Sequence, residues 1–124
     1  METPVLDTYS GATRVLFIVG DPIAQVKSPF GMTQSFEALG LNALCIPAQV
    51  APPDLPAWLD AMARMRNVDG IIVTVPHKMA IAPLCTTRSA RADFLQAVNT
   101  MRRSPAGGWH GDMFDGLGYA KALA

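Results

Sequence analysis

The chain is poor in the residues that build metal sites and disulfide frameworks, with two cysteines and two histidines. Cys45 and Cys85 lie far apart without a C-x-x-C pattern, and His77 and His110 stand at unrelated spacing. A structural zinc site needs four ligands, so no metal is expected and the thiols read as reduced and buried. Charge is also scarce: 16% of the residues are charged, and ten basic side chains balance ten acidic ones. Without a basic surplus to neutralise phosphates, the chain is not expected to bind nucleic acid. Long apolar runs are missing as well. The longest clear one, Val15 to Val19, falls far short of the roughly 20 residues that span a bilayer. The first eleven residues lack the apolar stretch of a signal peptide. No membrane association or secretion is expected, and the cytoplasm is the default compartment. What is present is apolar material, half of 124 residues, enough to pack the core of one domain.

The punctuation alternates strand with helix. Val15-Leu-Phe-Ile-Val19, closed by Gly20, is a short β-rich run that reads as a strand buried on both faces, the mark of a parallel sheet. Ser28-Pro29 supplies an N-cap and a first-turn proline, Met32, Phe36 and Leu39 recur at helical spacing, and Gly40 is the stop. A second strand is expected over Asn42 to Val50. Asp54 could cap a second helix whose stripe is Leu55, Trp58, Leu59, Met62 and Met65, core residues rather than a cofactor surface. A third strand runs from Asp69 to Pro76. Short helices follow over His77–Ala82 and Thr87–Leu95. Then Ala97–Arg103 and Gly108–Asp112 flank Ser104-Pro105-Ala106-Gly107, a hairpin turn, and a last helix is expected over Phe114–Leu123. The expected fold is an α/β three-layer sandwich: about six strands, mostly parallel, one antiparallel hairpin, and helices on both faces. In such sheets ligands meet the carboxyl ends of the strands, here Gly20-Asp21-Pro22, Thr74 to Lys78, and Asn99.

Lys78 stands out there. In the first turn of a helix a cation opposes the dipole by a few tenths to about 1 kcal/mol, and violations of local rules tend to mark functional sites. It could exchange a proton with a substrate oxygen, or it could be an ordinary exposed lysine. Asp112 and Asp115 precede the last helix; Asp115 could cap that helix or orient Lys78. Gly116-Leu117-Gly118 lacks the third glycine and the preceding strand of a dinucleotide fingerprint, so it reads as a helix start. Arg102, Arg103 and Trp109 read as a solvated hairpin edge, and His110 as a surface or hairpin residue.

Four blocks occur in order: Gly20-Asp21-Pro22-Ile23-Ala24 to Lys27-Ser28-Pro29; Asp69-Gly70 to Val73-Thr74-Val75-Pro76-His77-Lys78; Ala97-Val98-Asn99-Thr100; and Gly111-Asp112 to Asp115-Gly116. Together they resemble the N-terminal, substrate-binding domain of the shikimate/quinate dehydrogenases over residues 14–124, with 1–13 as an N-terminal tail. The resemblance implies that Lys78 and Asp115 form an acid–base pair while NADPH delivers hydride to the ketone of 3-dehydroshikimate. It also implies that Ser28, Thr74 and Asn99 hold the substrate, a small cyclic hydroxy acid. NADP would be bound by a nicotinamide-binding domain absent from this chain. The chain is then expected to be cut from a longer enzyme or, alternatively, to be a stand-alone non-catalytic binding module; a homodimer is left open.

Three departures bear on the substrate. Val26 replaces the first serine of the family's S-x-S-P block, Ile72 replaces the asparagine of N-V-T-x-P, and Met113-Phe114 replace the central polar pair of G-D-N-T-D-G. Each lost donor could cost about 0.5–1.5 kcal/mol of substrate binding. All three run towards apolar, so Val26, Ile72 and Phe114 are expected to face a less hydroxylated substrate.

Overall fold

The computed structural model describes residues 8–105 and 107–114. Its elements are β1 (Arg14–Gly20), α1 (Ser28–Ala38), β2 (Ala43–Gln49), α2 (Leu55–Arg64), β3 (Val68–Val73), β4 (Thr87–Arg88), α3 (Ala90–Leu95), β5 (Thr100–Arg103) and β6 (Trp109–Asp112). The six strands make one sheet in the order β2-β1-β3-β5-β6-β4. β5 is antiparallel to both β3 and β6, while the β1–β2, β1–β3 and β4–β6 pairs are parallel. This is the expected α/β sandwich with its antiparallel hairpin.

β1 lies inside the sheet, between β2 and β3, and its side chains are apolar on both faces of the pleat. Val15 and Val19 join the larger core cluster with Leu55 and Leu59 of α2 and Ala92 of α3. Ile18, one step out of phase, joins a smaller cluster against Met32 and Phe36 of α1. The helices therefore cover both faces. Val19 is fully buried, a contribution of about 1.5–3 kcal/mol for a side chain of this kind. Trp58, half-buried, packs against the larger core cluster and edge-on to Phe17, with ring centroids 5.8 Å apart. Both cysteines are free and buried, and burial pushes the Cys85 thiol up to about 11, against the opposing charge of Arg88.

Several local expectations are corrected. The stretch after Pro76 is a turn followed by a 3-10 helix at Ala82–Leu84, so Lys78 occupies no helix and meets no helix dipole. Thr87–Arg88 pairs with β6 as a strand, and the helix expected over Thr87–Leu95 begins only at Ala90, capped by the Ser89 hydroxyl. Ser28 is the first residue of α1, whose N-cap position falls on Lys27 without a side-chain cap bond; Asp54 likewise makes none. Arg103 is not on a solvated edge. Its guanidinium donates to the carbonyls of Val68 (2.7 Å), Ala63 (3.0 Å), Met62 (3.3 Å) and Met65 and stacks 4.8 Å from the Trp109 ring. It thereby satisfies the carbonyls at the end of α2, as a cation at a helix C-terminus does well, and Trp109 is buried. The helix expected over Phe114–Leu123 lies, past Phe114, outside the described residues.

Two glycines with opposite surroundings test this packing. A Cβ on Gly111 would fall 2.7 Å from both Cys85 Sγ and a Val98 methyl, whereas one on Gly31, inside α1, would meet nothing within 4 Å. Gly111→Ala is therefore expected to destabilise by about 1–3 kcal/mol through overpacking. Gly31→Ala is expected to stabilise by about 0.5–1 kcal/mol through helix propensity. Urea midpoints of the two variants check both signs.

Candidate functional site

β5 runs backwards, so its first residues reach the same edge of the sheet as the ends of β3 and β6. Backbone bonds hold that edge: Val73 N–H donates to the Asn99 carbonyl (2.9 Å) and Asn99 N–H to the Asp112 carbonyl (3.0 Å). Val98 N–H donates to the Lys78 carbonyl (2.8 Å), tying the lysine turn to the approach of β5. His77, fully buried, donates from Nε2 to the Val50 carbonyl at 2.7 Å, and Val50 N–H in turn reaches the Gly20 carbonyl (3.1 Å). The turn that carries Lys78 is thus pinned to three strand ends.

A cavity of about 430 Å³ opens there on the α1 face of the sheet. Ser28, Thr74, Lys78, Asn99 and Thr100 supply its polar groups, and Leu16, Ile18, Val26, Met32 and Ile72 much of its apolar lining. A smaller hollow of about 350 Å³, between Met79, Arg88 and Gln96, contains none of the predicted site residues. Six of those predicted residues meet in the larger cavity: Val26, Ser28, Ile72, Thr74, Lys78 and Asn99. Asp115 lies outside the described residues. Phe114 does not line the cavity; its ring sits 4.6 Å from the Arg91 guanidinium, while its N–H donates to Asn99 Oδ1 at 3.0 Å. Met113 packs against the larger core cluster. Thr100, Leu16, Ile18 and Met32 are not among the site residues expected from the sequence. Thr100 directly follows Asn99 in its block, and Leu16 and Ile18 share a pleat face, which was the available signal.

Asn99 is held in one orientation, because its Oδ1 also accepts from the Thr100 hydroxyl (3.1 Å). Asp112 is a brace for this edge. Burial alone would raise its carboxyl. Hydrogen bonds from Ser89 Oγ (2.6 Å) and the Met113 N–H (2.8 Å), with the Arg91 guanidinium, outweigh that and hold it below the ordinary carboxylate range. Among the described residues no group of three His, Cys, Asp or Glu side chains could hold a metal ion. No helix of the described residues is long and apolar enough to cross a membrane.

The shikimate dehydrogenase substrate-binding domain model matches residues 18–101. The chain belongs to this family. A curated relative named shikimate dehydrogenase (NADP(+)), from Synechococcus sp. strain JA-2-3B'a(2-13), is 40% identical over 92% of the chain and 39% of its own length. The shikimate 5-dehydrogenase of Listeria monocytogenes, solved with shikimate and NAD, superposes with a TM-score of 0.88 at 28% identity over 96% of this chain and 40% of that one. The shikimate 5-dehydrogenase of Thermus thermophilus, solved with shikimate, gives a TM-score of 0.81 at 27% identity over 90% and 42%. The chain thus spans about two fifths of the length of its family relatives.

The connection from β1 to α1 does not form a pyrophosphate cradle. Gly20, which closes β1, has its Cβ position filled by the Thr74 methyl at 2.5 Å, and α1 starts only at Ser28. No glycine-rich loop there runs straight from strand to helix, the arrangement that cradles a pyrophosphate.

Because the folded Asp112 carboxyl is depressed, its contribution to stability is present above the unfolded value near pH 4 and lost as pH falls through the folded value. The stability gap between wild type and Asp112→Asn, read by urea denaturation, is expected to be largest near pH 7 and to shrink by pH 3. A gap unchanged between those pH values would remove Asp112 as a charged brace.

Proposed function

We propose that this domain is the substrate-holding part of an NADP-dependent oxidoreductase that interconverts a ketone and an alcohol on a cyclic hydroxy acid, 3-dehydroshikimate or a relative. The observation that carries it is the meeting of Lys78 with Thr74, Asn99 and Ser28 in one cavity at the carboxyl edge of β3. The nicotinamide is held outside the described residues, and this chain's part is confined to the substrate and its proton. Thr74, Asn99 and Ser28 hydrogen-bond the oxygens of the substrate and fix the ring. Lys78 Nζ gives a proton to the ketone oxygen as that oxygen becomes a hydroxyl, and takes it back in the opposite direction. Asp115 is the second member of the acid–base pair that the family's motif implies. Lys78 is half-buried and lines the same cavity as Thr74, Asn99 and Ser28, which places its amine within one site with the groups that hold the substrate.

In an enzyme that carries this domain with its nicotinamide-binding partner domain, Lys78→Ala is expected to lower kcat by about 10²–10⁴-fold, the usual range for an acid–base group. Steady-state rates of ketone reduction check it. Turnover within a few-fold of wild type would remove Lys78 from proton transfer.

A further inference from the structure

The pleat shows how polarity is distributed under the bound ring. Ile18 of β1 pairs with Ile72 of β3, and Ile72 with Thr100 of β5, so these three side chains form a row across the cavity floor. Neighbouring strands lie about 4.8 Å apart, so the floor turns from apolar to polar between one strand and the next. Val26, in the loop before α1, and Met32 of α1 pack with Ile18 and Ile72 in one cluster and close the apolar side. Thr74, Lys78 and Asn99 gather with Thr100 on the cavity's polar lining.

Resting on the functional reading above, we infer that the site selects an oxygen-poor ring acid, with its reacting oxygen on the Lys78–Asn99–Thr100 flank and no hydroxyl on the flank over Ile18, Ile72 and Val26. Val26 and Ile72 are the specificity-determining residues. The Val26 and Ile72 side chains have no acceptor or donor of their own to offer a hydroxyl laid against them, so they favour an apolar ring carbon there. An apolar pocket discriminates against one such hydroxyl by up to about 10²-fold. Met113 and Phe114 take no part, since neither lines the cavity.

The test is a binding titration of the full chain, followed by amide chemical shifts, with two probes. One is shikimate, whose ring carries three hydroxyls. The other is 3-hydroxycyclohexane-1-carboxylate, whose ring carries one. The one-hydroxyl acid is expected to bind at least tenfold more tightly, and Val26→Ser and Ile72→Asn are each expected to narrow or reverse that preference. Val26→Ser changes a half-buried loop residue, which keeps the comparison available if Ile72→Asn fails to fold. Tighter binding of shikimate by wild type would overturn the inference and leave the proposed function standing, as would a preference that neither folded variant changes. Binding of neither probe at millimolar concentration would overturn both.

Discussion

The reversal of β5 is the constraint on which the site depends. A strand inserted antiparallel between β3 and β6 brings its own beginning to the edge where the others end. Asn99 and Thr100 thereby meet Thr74 and Lys78, which follow β3 in the chain. Had β5 run parallel, its first residues would lie at the opposite edge of the sheet. The bonds from Val73 to Asn99 and from Asn99 to Asp112 involve backbone groups alone. The position of Asn99 therefore depends on strand pairing, and its side chain needs only to be oriented by Thr100 and the Phe114 amide.

Two arginines satisfy the polar groups around this frame. Arg103 gathers the last carbonyls of α2 and the first of β3 beneath the Trp109 ring, adding its bonds to those that the Met65 and Val68 N–H groups already make to the carbonyls of Met62 and Met65. Arg91 meets Asp112 while lying over Phe114. Neither lines the cavity, and both hold segments that do or that adjoin it. Arg14 and Asp69 also pair, at 2.5 Å, but both are about half exposed, so screening leaves that bridge little weight in stability.

The strands with continuous apolar runs were the most legible from sequence. β1 and β3 could be read from Val, Ile and Gly alone, because burial on both faces leaves no polar alternation to confuse the pattern. The short elements between residues 77 and 95 were misread. Two residues of strand cannot show a period, and the pairing that makes Thr87–Arg88 a strand comes from β6, more than twenty residues away. Arg103 was misread for a related reason: its four carbonyl partners belong to other elements, and nothing next to it in sequence announces them. Six predicted residues nevertheless line one cavity: Thr74 and Lys78 follow the end of β3, and the reversal of β5 brings Asn99, just before its start, to the same edge. Thr100 and the Ile18–Ile72 row needed the register between strands, which no single strand contains. Phe114 was misassigned because its side chain turns to Arg91 and only its backbone reaches Asn99.

The fit between Gly20 and Thr74 bears on how the cavity could widen. The threonine methyl occupies the space a side chain at Gly20 would take, and Asp21 N–H bonds the Val75 carbonyl at 3.2 Å. The turns leaving β1 and β3 are therefore interlocked and shift, if at all, as one body. The opposite wall, α1, has no buried residue of its own. That helix is held by Met32 and Phe36 against the Ile18 cluster and by Thr33 Oγ1, which accepts from the Cys45 N–H at 3.0 Å, so a wider cavity requires these contacts, and not the interlocked turns, to give way.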